Sequence, residues 1–253
     1  MVDNIPVYIF STQERTKDLC VYSYKKLGFE NVVVLEDSSS FKDKYIEFAE
    51  HASSSGLDYF IRADADLIPF DGILKIVSKI KSGIPYWIEG QYFDYFMNKR
   101  RHGTPHLIPK VAVDVLANNH GIISNSKKPE SEFSRYLVNN DLVKLKSVKV
   151  ITSLHEYEQY PSKVCNSFLN RLKRSHRHLY DLSFIENYAP EIYKKAIKHA
   201  IDIYNSGNLE HPDSMNFLDF SDLDIGFSDI SEHQLSAVYT DLKYIYSLVN
   251  RIV

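Results

Sequence analysis

Apolar residues in the first eighty positions switch between two periods. Ile5 to Phe10 is a short run rich in β-branched and aromatic residues, the pattern of a buried strand. Leu19, Cys20, Ser23, Tyr24 and Leu27 then fall on one helical face. Ser11 and Glu14 stand ahead of them at capping-box spacing, and Gly28 follows as a helix end. Asn31 to Leu35 predicts a second strand, too apolar for an exposed edge. Ser40 opens a second helix carrying Phe41, Tyr45, Phe48, Ala49 and Ala52, and Gly56 ends it. Leu57 to Ile61 reads as a third strand. Asp71 and Gly72 start a third helix with Ile73, Leu74, Ile76, Val77 and Ile80, closed by Gly83. This β-α-β-α-β-α order predicts an α/β fold with a mostly parallel sheet and helices on both faces.

The middle of the chain is less regular. Ile84 to Tyr92 and Leu142 to Ile151 predict strands. Pro109 opens a short helix holding Val111, Val113, Val115 and Leu116, and Glu130 to Leu137 predicts another. Ahead of Pro109, Lys99 to His102 and Gly103 to His106 read as a charged, flexible loop, either a surface turn or an acceptor-side lid. Trp87 is either core or a platform for a sugar ring. Beyond residue 160 the pattern is mostly helical. Ser162 to His178 is basic, with Lys163, Arg171, Lys173, Arg174 and Arg177 and no acid. Glu191 to Tyr204 is helical and ends near Gly207. Glu210 to Glu232 has seven acids and no Lys or Arg. Ser231 and Gln234 then cap a final amphipathic helix, carrying Leu235, Val238, Leu242, Ile245, Leu248, Val249 and Ile252. The expected organisation is a main domain over 1–180 and a helical C-terminal extension over 181–253 packed on it.

Composition narrows the classes. A chain of 253 residues, 44% hydrophobic and 25% charged, is ordinary for a globular protein that buries its core without staples. Two cysteines, Cys20 and Cys165, exclude a disulfide scaffold and a cysteine-rich zinc module. No apolar run approaches the ~20 residues that span a bilayer. Met1-Val2-Asp3-Asn4 lacks the basic and apolar regions of a signal peptide, so a cytoplasmic protein with reduced thiols is expected. A net charge of −3 argues against a wholly basic nucleic-acid binder, not against a local basic patch.

In parallel α/β sheets, ligands bind beyond the carboxyl ends of the strands. That rule selects Ser11-Thr12-Gln13, Glu36-Asp37-Ser38 and Arg62-Ala63-Asp64-Ala65-Asp66. Two carboxylates one residue apart repel each other unless a cation lies beside them. Mg²⁺ or Mn²⁺ suits such oxygen ligands and commonly keeps a substrate phosphate as co-ligand. The plainer alternative is an acidic turn, with Arg62 as the structural partner of the acids.

With Val7-Tyr8-Ile9-Phe10-Ser11-Thr12 and Arg15, Val33-Val34-Leu35-Glu36-Asp37, the D-x-D segment, and His155 followed by Pro161-Ser162-Lys163, the sequence resembles the GT-A fold glycosyltransferases, broadly the family 2-like nucleotide-diphospho-sugar transferases. The resemblance spans about residues 5–180 and implies a Rossmann-like GT-A sheet. It implies that Thr12 and Arg15 contact the nucleotide base, and that Asp37 or Glu36 contacts base or ribose. Asp64 would hold the ribose, Asp66 the metal, and His155 would complete the metal shell. Lys163, and Arg62 if it is not purely structural, would neutralise the diphosphate. The implied activity is metal-dependent transfer of a sugar from a nucleoside-diphosphate donor, a UDP-sugar first, to an acceptor hydroxyl.

An inverting transferase needs a carboxylate base near that hydroxyl. The family's acid pair has no clean match; Glu130, in Glu130-Ser131-Glu132, and Asp94 are the nearest carboxylates. Three other readings stay open. A nucleotidyltransferase would want a Gly-rich loop after the first strand, and Ser11 to Arg15 has no glycine. A non-catalytic nucleotide- or sugar-binding module would keep the fold without turnover. A DNA-modifying glycosyltransferase acting on a hydroxylated base would use the basic stretches at 163–178 and 99–102 as a phosphate track, with nucleic acid as acceptor.

Overall fold

The computed structural model describes residues 4–36, 40–81, 83–94, 99–123, 129–155, 157–174, 187, 189–207, 221–224 and 230–251. Its centre is a sheet of seven strands: β1 (Val7–Phe10), β2 (Val32–Leu35), β3 (Tyr59–Asp64), β4 (Leu67–Pro69), β5 (Tyr86–Asp94), β6 (Lys99–Pro109) and β7 (Lys144–His155), in the order β2-β1-β3-β6-β5-β7-β4. β6 lies antiparallel between β3 and β5, and β4 antiparallel on β7; the other five strands share one direction. The sheet is the mostly parallel, Rossmann-like one expected.

Alternation along the strands divides the core into two layers. Val7, Ile9, Ile61, Ala63, Ile88 and Leu107 face one side, where α1 (Lys17–Lys26), α3 (Gly72–Val77) and the last helix, α8 (Glu232–Arg251), pack. Tyr8, Phe10, Phe60, Trp87 and Ile108 face the other, covered by α2 (Phe41–Ser54), α4 (Lys110–Asn118) and α5 (Pro129–Asn139). Trp87 is 1% exposed and meets Phe133 edge-on at 6.0 Å, so it belongs to the core and is closed to a sugar ring. A smaller cluster joins α6 (Pro161–Arg174) to α7 (Glu191–Ser206). The boundary expected at 180/181 lies outside the described residues. Across it, α8 enters the main core: Tyr246 donates to the Ile151 carbonyl at 2.7 Å and stacks on Phe70 at 4.5 Å.

Two local expectations are corrected. Ser11 and Glu14 do not cap α1. Gln13 has φ 64°, a left-handed residue that interrupts any helix there, and the Glu14 carboxylate instead accepts from Ser11 Oγ and Thr12 N. The helix begins after Thr16. The stretch from Lys99 to Pro109 is not a loop. Its first four residues are exposed, but Thr104 to Pro109 are buried between two strands, an inner half masked in the sequence by Gly103 and Pro105. Ser40 does form a capping box, with Asp43, over α2. Both cysteines are buried free thiols, and among the described residues no helix is long and apolar enough to cross a membrane.

Candidate active site

β3 runs three residues past its predicted end, to Asp64. Arg62 therefore lies within a central strand, 1% exposed. Its guanidinium makes a two-pronged pair with Asp64, Nη2 to Oδ1 at 2.5 Å and Nη1 to Oδ2 at 3.2 Å, and reaches Glu130 Oε1 at 3.1 Å. Its face is covered by aromatic rings, with Phe10 at 4.5 Å and Phe41 at 4.9 Å from Cζ. Such stacking and forked pairing are what a guanidinium offers and an ammonium does not. Thr104 Oγ1 donates to Asp64 Oδ2 at 2.7 Å, and His106 Nδ1 lies 2.7 Å from Glu130 Oε1. Both come from β6, so reading that strand as a loop hid them. Their alternation with Ile108 was the signal that would have placed them on one face.

This cluster has more negative than positive charge, and its carboxyls respond differently. Burial pushes Glu130 up, but the Arg62 charge and His106 more than offset it and hold the carboxyl at about 2. Burial also pushes Asp64 up, and Arg62 only partly compensates while Asp66 and Glu130 add repulsion, leaving it at about 6.

A second group lies at the adjoining strand ends. The β5–β7 register sets Asp94 opposite His155, and the β4–β7 register sets Leu67 opposite His155, so Asp66 arrives beside the same imidazole. His155 Nε2 is 3.3 Å from Asp66 Oδ2, and its Nδ1 is 3.7 Å from Asp94 Oδ2. Asp94 is fully buried and also faces Arg101 at 3.5 Å, and the Tyr92 ring lies 4.8 Å from the imidazole. Burial pushes Asp66 up, but the His155 charge and hydrogen bond prevail, and its carboxyl sits below the ordinary range. The Asp66 Oδ1 atom is buried with no hydrogen-bond partner. A buried carboxylate oxygen left bare beside an imidazole nitrogen fits a divalent cation. Asp66 and His155 could offer two protein ligands to such an ion; among the described residues no group of three or more His, Cys, Asp or Glu side chains is placed to hold one.

The third group flanks the first turn. A cleft of about 470 Å³ is lined by Arg15, Lys17, Glu36, Tyr160 and Lys163, among others. Lys163 Nζ donates to the Thr12 carbonyl at 2.5 Å, Lys17 pairs with Glu36 at 2.7 Å, and Arg15 pairs with Glu158. The buried Lys44 donates to the Ser11 carbonyl and pins the turn from below; nothing in the sequence distinguished it from the exposed lysines of α2. Asp37 lies outside the described residues.

The structure thus brings Arg62, Asp64 and Glu130 together, then Asp66, His155 and Asp94, then Thr12, Arg15 and Lys163. No protein-family model matches the chain, and no curated protein matches its sequence. Among solved structures it is similar to a glycosyltransferase involved in the glycosylation of the major capsid of PBCV-1, at 10% identity and TM-score 0.43, over 61% of this chain and 94% of that one. It is also similar to the CMP:2-keto-3-deoxy-manno-octonic acid synthetase complexed with CTP, at 10% identity and TM-score 0.35, over 59% of this chain and 90% of that one. At low identity and over part of its length, the chain is similar in structure to a glycosyltransferase and to that synthetase.

Proposed function

We propose that the protein is a metal-dependent glycosyltransferase that takes a sugar from a nucleoside-diphosphate donor, a UDP-sugar first, to an acceptor hydroxyl. The observation that carries this reading is the bare, buried Asp66 Oδ1 beside His155, at the carboxyl ends of the central strands. Asp66 and His155 would hold Mn²⁺ or Mg²⁺, which supplies positive charge against a departing diphosphate. Lys163 and Arg15, from α6 and the first turn, add cationic side chains on the cleft side. Asp64, clamped by Arg62 and Thr104, presents its carboxylate to a ribose.

Glu130 and Asp94, the two carboxylates expected as bases, take positioning roles in this reading. Glu130 is held ionised at about 2 and anchors Arg62, which leaves it a weak base at neutral pH. Asp94 has no exposed surface, and its place beside His155 Nδ1 is that of a carboxylate orienting a metal-ligating imidazole.

Thermal shift with UDP, GDP, CDP and dTDP, each with and without Mn²⁺, tests the proposal. A ligand that binds only the folded state raises its melting temperature by mass action. One diphosphate should stabilise the wild type only with Mn²⁺, and Asp66→Ala should abolish that shift while leaving the protein folded. Metal-independent shifts, or an unchanged Asp66→Ala, would overturn the site.

A further inference from the structure

A second cleft, of about 430 Å³, opens on the α3 and α8 side of the sheet. Its lining includes four cations, Lys75 from α3, Arg100 from β6, Lys149 from β7 and Lys243 from α8, facing the single carboxylate of Asp71. Lys75, Lys149 and Lys243 make no ion pair among the described residues. In a chain of net charge −3, this concentration of positive charge is local, and among the residues lining the cleft only Asp71 offsets it. Clefts with one sign of charge and low-dielectric walls focus field and gather the opposite ion.

The backbone contributes to the arrangement. The β5–β7 register jumps from Glu89↔Ser147 to Gln91↔Ile151, so Lys149 lies in a bulge opposite Gly90. Bulges re-aim side chains and recur beside functional sites. Gly90 fits closely there: a Cβ would come within 2.5 Å of Thr152 Cγ2 and 2.6 Å of Ile76 Cδ1, so those side chains would have to shift. Arg100 is held in place by donating to the Val249 carbonyl at 3.1 Å, so its guanidinium is already ordered. Lysines on an edge strand also discourage strand pairing. That accounts for Lys144 and Lys146, but not for cations from a helix on either side converging with Lys149.

We propose that this cleft binds a compact polyanion carrying two or more phosphate-like groups, at a site separate from the donor site. Ile151 lies four residues before His155 on β7, which is ~13 Å of strand. The cleft volume suits a small ligand. The inference does not depend on the reading of Asp66.

The test is calorimetric titration of the whole protein with inorganic tripolyphosphate, and with orthophosphate for comparison, at one fixed ionic strength. Tripolyphosphate should bind at least about tenfold more tightly than orthophosphate, since each further charged hydrogen bond is worth about tenfold or more. Lys149→Ala with Lys243→Ala should weaken it at least about tenfold at an unchanged melting temperature. Asp66→Ala, and a control pair Lys195→Ala with Lys198→Ala on α7, should leave it within about twofold. Equal weakening by the α7 pair would mean general charge attraction and overturn the site. Loss in Asp66→Ala would place the polyphosphate at the donor site and also overturn it. A short oligodeoxynucleotide that binds more tightly than tripolyphosphate, and is weakened by the same cleft variants, would make the ligand a nucleic acid and overturn the assignment to a small polyanion.

Discussion

Replacing Glu130 by Gln removes one negative charge from the Arg62 cluster while keeping the side chain's shape. In the folded protein the carboxyl titrates at about 2, against an ordinary 4.5, because Arg62 and His106 outweigh the penalty of burial. At 1.36 kcal/mol per pH unit, that gap corresponds to ~3 kcal/mol of stability from the ionised form. A folded pKa below the unfolded one stabilises above the unfolded value. The contribution is therefore complete above about 4.5 and is lost as pH falls toward about 2. Glu130→Gln should accordingly cost ~2–3 kcal/mol at pH 7, and the deficit should shrink steadily once the pH is taken below ~4.5. Urea unfolding at pH 7, 5, 4 and 3 measures it, provided the urea dependence is the same for both proteins. A difference under ~1 kcal/mol at pH 7, or one that does not change with pH, would refute the argument that Arg62 and His106 hold this carboxylate. The double variant Arg62→Met with Glu130→Gln should cost less than the sum of the two changes, since each alone strands a partner.

Other changes test the packing and the second carboxylate. At Gly72 a Cβ would lie 1.9 Å from the Ile151 carbonyl oxygen, a backbone atom that cannot swing away, so Gly72→Ala should lower the melting temperature by several degrees or prevent folding. Asp94→Asn should weaken Mn²⁺ affinity, read by electron paramagnetic resonance, by roughly 10-fold to 100-fold. Unchanged Mn²⁺ affinity would separate Asp94 from His155.

The first third of the chain was legible because its elements are local. Residues 5–80 bury strands and helices whose apolar spacing is complete within each segment, so β1, β2, α1 and α2 fall where the periodicity puts them. The D-x-D segment was legible for the same reason, as polar residues directly after an apolar strand. β6 was not. Its outer residues Lys99 to His102 are solvated, and only pairing with both β3 and β5 makes Thr104 to Pro109 a buried strand. Pairing between distant segments leaves no mark on a hydropathy pattern. The site was half-visible as a result. Asp64 and Asp66 stood out by type and position and His155 through the resemblance, but the surroundings of Glu130 depend on Arg62 and His106, which lie 68 and 24 residues away in sequence. A buried cation beside a carboxylate holds it ionised, and only the tertiary structure supplies that neighbour.

The packing of α8 has a consequence for how the chain acquires its structure on the ribosome. Tyr246 closes onto the carbonyl of Ile151 across 95 residues of sequence, and Leu242 and Val249 fill the same layer as Ile9, Ile61 and Ile73. At ~5–20 residues per second, that layer waits roughly 5–20 s for its last helix after β7 has been made. In that interval Phe70, which Tyr239 and Tyr246 later cover, is exposed together with the apolar edge of α3. The nascent sheet is therefore most open to misassociation between the synthesis of β7 and that of α8, and a chaperone that protected this face would need to release it only once α8 had emerged.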